Sequence, residues 1–65
     1  MRIYRCRYFR EGKPQGRSYF FKSEEEFRPG ELVVSSLDKP LMVIDVDTES
    51  DYPLNKLDMI FRCED

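Results

Sequence analysis

The stretch Phe27-Arg28-Pro29-Gly30-Glu31-Leu32-Val33-Val34-Ser35 decides how the rest of the chain is read. Proline ends whatever precedes it, glycine supplies backbone angles that other residues resist, and a β-branched apolar run follows at once. That order marks the entry to a central strand of a small all-β domain. The strand itself is expected from Leu32 to Ser36.

Before this stretch, Ser23-Glu24-Glu25-Glu26 has the form of a capping box. Pro29 then leaves room for one helical turn or a bend. From Arg2 to Arg10, Tyr4, Cys6 and Tyr8 alternate with Ile3, Arg5, Arg7 and Phe9. The first set is expected to face inward, since the second carries the arginines. Glu11 to Gly16, with two glycines and a proline, is expected as a hairpin loop. Arg17 to Lys22 is the returning strand, with Tyr19 and Phe21 inward.

After it, Leu37-Asp38-Lys39-Pro40 is a turn and Leu41 to Asp47 a fourth strand. Outward Asp45 and Asp47 would place Met42, Ile44 and Val46 toward the core. Thr48 to Pro53 is a polar loop, Pro53 opens a short turn through Leu57, and Asp58 to Cys63 is a last strand anchored by Ile60. The expected fold is all-β: one domain over residues 1–65, a five-stranded SH3-like barrel or strongly bent antiparallel sheet, with at most one or two short helical turns.

Composition agrees. Of 26 apolar residues nine are Phe or Tyr, and Ala, the best helix former, is missing. The net charge of −2 hides an asymmetry: residues 1–22 carry seven basic side chains against one acidic, and residues 23–65 four against twelve. Basic strands lying beside acidic ones would account for it, as would an interaction surface. Leu41-Met42-Val43-Ile44 is too short to span a bilayer, and Met1 to Arg5 lacks the apolar segment of a signal peptide. A cytoplasmic setting with Cys6 and Cys63 as free thiols is the default, and a bridge between them requires that the first and last strands pair.

The chemistry-bearing residues are few. There is no His to serve as a general base, and Ser18, Ser23, Ser35, Ser36 and Ser50 have no evident activating partner. Cys6 and Cys63 lack CxxC spacing, and the run Glu24-Glu25-Glu26 is a poor cage for a hard cation. No catalysis, metal or cofactor is expected. What stands out is a basic-aromatic face of Arg5, Arg7, Phe9, Arg17, Phe20 and Lys22, and an acidic face of Asp45, Asp47, Glu49 and Asp51. The bland account of the first is that Phe9 and Phe20 cover each other while the arginines meet acidic neighbours. The functional account is a non-catalytic module that binds a protein partner through either face. The alternative is nucleic-acid binding by the Arg/Phe face of the first hairpin. Edge pairing or strand swapping into a homodimer is a further expectation for so small a sheet.

The order of motifs is also familiar. Tyr19-Phe20-Phe21-Lys22-Ser23, then Pro29-Gly30-Glu31-Leu32-Val33-Val34, Asp45-Val46-Asp47 and Lys56-Leu57-Asp58-Met59-Ile60 resemble small uncharacterised SH3-like barrels of phages and bacterial mobile elements. Glu31 stands where those proteins often carry Asp, and Leu37 to Pro40 replaces their glycine-bearing turn. The resemblance spans most of the chain and implies a fold. In that setting the partner would be a host enzyme, a defence protein or a structural protein.

Overall fold

A computed structural model describes residues 1–49 and 53–63. Five strands follow in order: β1 (Arg2–Arg10), β2 (Lys13–Ser23), β3 (Leu32–Ser35), β4 (Pro40–Val46) and β5 (Asp58–Arg62), with a single 3-10 turn (Leu54–Lys56) before the last. They close into a barrel in the order β1-β2-β5-β3-β4, with β4 returning to β1. This is a small five-stranded closed barrel, consistent with an SH3-like fold.

The Pro-Gly entry works as its residue types require. Glu31 N–H donates to Arg28 O at 3.1 Å across a turn, with Pro29 at its second position and Gly30, at φ 92°, at its third. These are the places a type II turn gives to Pro and Gly. Gly30 N–H and Val43 N–H then bond to Val43 O and Glu31 O, stitching the turn to β4. Ahead of it, Ser23 to Glu25 forms a bend, where the Ser23 hydroxyl accepts the Glu25 N–H two residues on. The first hairpin is tighter than its glycines and proline suggest. Arg10 pairs with Lys13 around Glu11 (φ 52°) and Gly12 (φ 80°), so Pro14 and Gly16 lie within β2. Both central residues at positive φ suit a two-residue turn joining twisted strands.

Tyr4, Cys6, Phe21, Phe27, Val33, Leu41, Val43 and Ile60 form the core, with Tyr8 and Val46 packed against it. Three expected inward residues change, on two strands. On β4, Leu41 and Val43 are fully buried while Met42 and Ile44 are only half-buried. Tyr4 pairs with Val46 and Arg5 with Asp45, but Cys6 pairs with Val43, leaving Ile44 as an extra residue. That bulge inverts the alternation, so counting back from Asp45 and Asp47 places Met42 and Ile44 on the wrong face. On β2, Tyr19 is 47% exposed although it sits opposite buried Cys6. β5 meets β2 only at Phe21 and Lys22 among the described residues, so nothing covers Tyr19 from that side.

Tyr4 also organises the segment ahead of the Pro-Gly turn. Its hydroxyl donates to Glu25 O at 2.8 Å and accepts the Phe27 N–H at 3.0 Å. Its ring meets Phe27 edge-on at 5.4 Å, and Arg62 caps Phe27 at 5.4 Å. Cys6 is buried on β1 and Cys63 is exposed beyond β5, and both are free thiols. β1 and β5 are not neighbours in the barrel, so the pairing a bridge requires is not made. Among the described residues no helix is long and apolar enough to cross a membrane.

Candidate functional site

Two of the four acidic-face residues, Asp45 and Asp47, enter ion pairs. Asp45 lies opposite Arg5 in the β1–β4 ladder and pairs with it. Both carboxylate oxygens of Asp47 accept from Arg2, at 2.9 and 2.8 Å, and Arg2 also reaches Glu26 at 3.0 Å. Glu49 is exposed, and Asp51 lies outside the described residues. Part of the charge asymmetry is thus an intramolecular match, drawn by the β1–β4 contact. Arg62 belongs to the same pattern, pairing with Glu25 at 3.4 Å and Glu31 at 3.8 Å.

The basic-aromatic set is divided by the hairpin's own geometry. Arg5 opposes Phe20, Arg7 opposes Ser18, Ile3 opposes Lys22 and Phe9 opposes Pro14, so Arg5, Arg7, Phe9, Phe20 and Lys22 share the outer side. Phe9 and Phe20 therefore face other residues across the hairpin. Lys22 Nζ donates to Leu54 O at 2.7 Å, tying β2 to the 3-10 turn. Arg17 stands apart. The register jumps from Arg7↔Ser18 to Tyr8↔Gln15, which leaves Gly16 and Arg17 as a bulge on β2. Arg7 Nε donates to Gly16 O at 3.0 Å and fixes that bulge.

Arg17 consequently joins Tyr8 and Tyr19, with which it lines two adjoining clefts. The two tyrosine rings meet edge-on at 5.7 Å. One cleft, of about 470 Å³, runs between Arg17 to Phe21 of β2 and the Lys56-Leu57-Asp58 exit of the 3-10 turn. The other, of about 260 Å³, is completed by Arg10, Gln15 and Gly16. Among the described residues Arg7, Arg10, Lys13, Arg17, Lys22, Arg28, Lys39 and Lys56 enter no ion pair, while Arg2, Arg5 and Arg62 all do. Five of those eight, Arg7, Arg10, Lys13, Arg17 and Lys56, lie at or beside the hairpin end. Uncompensated positive charge therefore gathers at the hairpin end, beside two half-exposed aromatic rings.

Tyr8, Arg10, Tyr19 and Lys56 were not legible as members of this site. The tyrosines follow the inward alternation, and only their phenol groups, which suit a position with one wet end, hint otherwise. For Arg10 the signal is that Glu11 is the one carboxylate in residues 1–22. Neither cysteine lines these clefts. Burial pushes the Cys6 thiol up to about 12, which keeps it protonated and unreactive at neutral pH. Among the described residues no three of His, Cys, Asp and Glu gather as a metal would require. Comparison with models of known protein families, with curated proteins and with solved structures found no match.

Proposed function

We propose that this chain is a non-catalytic binding module that engages an acidic protein partner through the hairpin-end cleft. One observation carries the reading: among the described residues Arg10, Arg17 and Lys56, which line the clefts beside the Tyr8–Tyr19 pair, have no carboxylate partner, whereas Arg2 and Arg5 on β1 each have one. Aromatic and arginine side chains at a cleft supply most interface energy, and a one-signed patch orients and speeds encounter. The missing His and the protonated Cys6 support the non-catalytic part. The resemblance to phage and mobile-element barrels supplies the setting in which such a partner is sought. Nucleic-acid binding is the rival reading, favoured by the exposed Tyr19 ring beside Arg17 as a base-stacking platform. The acidic total charge weighs against it.

Affinity capture from a host lysate tests the reading with three baits: wild type, an Arg17→Glu/Tyr19→Asp double variant, and Lys39→Glu as a control on an exposed turn. Wild type and control should retain the same protein and the double variant should lose it. Equal recovery by all three would overturn the assignment of this surface. Salt-dependent micromolar binding of a single-stranded oligonucleotide, abolished by the double variant, would replace it with the rival reading.

A further inference from the structure

The larger cleft borders a strand edge that the barrel leaves open. β2 is paired with β1 from Ser23 back to Lys13, but with β5 only at Phe21 and Lys22 among the described residues. In an antiparallel strand, alternate residues aim their N–H and C=O away from the partner. From Lys13 to Phe20 those outward groups meet no strand among the described residues. Part of this edge is blunted in the ways sheet edges commonly are: Pro14 has no N–H, and Gly16 O is occupied by Arg7 Nε. What remains usable is Arg17-Ser18-Tyr19-Phe20, the segment that walls the cleft of about 470 Å³. The opposite wall, Lys56-Leu57-Asp58, is where β5 begins to approach β2.

We infer that this cleft receives an extended acidic peptide, which adds to the free edge of β2 as a sixth strand. The inference rests on the binding-module reading and specifies its ligand class. Backbone donors and acceptors of Arg17 to Phe20 supply ladder hydrogen bonds, and the tyrosine rings take up apolar side chains on one face of the peptide. Arg17 and Lys56 favour carboxylates on the peptide, and Asp58 is the one acidic side chain among the cleft's lining residues. The same charges argue against a second copy as the occupant. Two β2 edges brought together would set side by side two Arg17 to Lys22 segments that each carry positive charge and no carboxylate, and like charges in neighbouring strands are unfavourable.

The test uses the full chain and a capped hexapeptide of alternating Glu and Val, beside the same peptide N-methylated at alternate backbone amides. Strand addition is expected to slow amide hydrogen exchange between Arg17 and Phe20. N-methylation, which removes donors while keeping every side chain, should weaken binding about 10-fold or more. Equal affinity of the two peptides, with no added protection at Arg17 to Phe20, would overturn strand addition while leaving a charge-driven binding module intact. Failure of both peptides to bind, with the lysate partner still lost in the Arg17→Glu/Tyr19→Asp variant, would do the same. Failure of both together with unchanged capture by that variant would overturn the binding-module reading as well. A concentration-dependent dimer with Arg17 to Phe20 already protected would make a second copy the occupant and sink the peptide assignment.

Discussion

At the Arg2 end of the barrel, a cleft of about 500 Å³ is lined by Arg2, Arg28 and Arg62 together with Glu26 and Glu31, and Arg2 and Arg62, though not Arg28, are paired with carboxylates. At the hairpin end, Arg10 and Arg17 line clefts of similar or smaller size with no carboxylate paired to them among the described residues. The two regions sit at opposite ends of β1 and use the same side chain for different ends. In the first, Arg62 lies over Phe27 and forms ion pairs with Glu25 and Glu31. In the second, no carboxylate among the described residues forms an ion pair with the lining arginines. Arginine density alone therefore does not distinguish the two ends; their ion pairing does.

The largest expected effects fall at the Arg2 end, where the residues hold the fold. Tyr4→Ala should cost about 3–5 kcal/mol in urea unfolding, as deletion of a buried aromatic ring does. Tyr4→Phe should cost about 1–3 kcal/mol by stranding the Phe27 N–H and Glu25 O. Tyr19→Ala should change stability by less than about 1 kcal/mol while weakening partner capture, because its ring is 47% exposed. If Tyr19→Ala destabilises as much as Tyr4→Ala, the contrast between the ends collapses.

The bulge on β4 is open to a similar check. Leu41→Ala should cost about 2–5 kcal/mol and Met42→Ala clearly less, since Leu41 is fully buried and Met42 only half-buried. The reverse order would restore the simple alternation. The two thiols sharpen the inside-outside contrast by reactivity: Cys63 should react with a disulfide reagent in the folded protein and Cys6 only after unfolding. Burial raises the Cys6 thiol from an ordinary 9.0 to about 12. Above pH 9 the unfolded chain releases this proton while the folded chain keeps it to about 12, so this thiol's contribution to stability is lost across that window. An equal fall of the thermal midpoint from pH 9 to 11 in wild type and Cys6→Ser would contradict that linkage. The smallest effect is expected from Asp47→Asn, at most about 1 kcal/mol, because its pair with Arg2 is solvent-exposed.

Much of the barrel was legible in the chain. Pro29-Gly30 announces the β3 entry, Pro53 the 3-10 turn, and alternation around Tyr4, Cys6 and Ile60 the inward faces of β1 and β5. What escaped shares a physical cause. A period of two has no way to show an inserted residue, so Ile44 on β4 and Gly16-Arg17 on β2 shift their strands unseen. Strand neighbours are likewise not written in periodicity. Without the β1–β4 contact, Arg5 and Asp45 belong to two separate faces; with it, they are one ion pair. Tyr19 keeps its inward parity and is still exposed, because β2 outruns the strand beside it.

The central claim is that the uncompensated hairpin end, and not the arginine-rich opposite end, is the contact surface. Titrating isotope-labelled protein with the capped Glu-Val hexapeptide and following backbone amide shifts tests it most directly. Shifts gathered at Tyr8 to Phe21 and Lys56 to Asp58 are the expected result. Shifts centred on Arg2, Arg28 and Arg62, with the hairpin unmoved, would contradict the account.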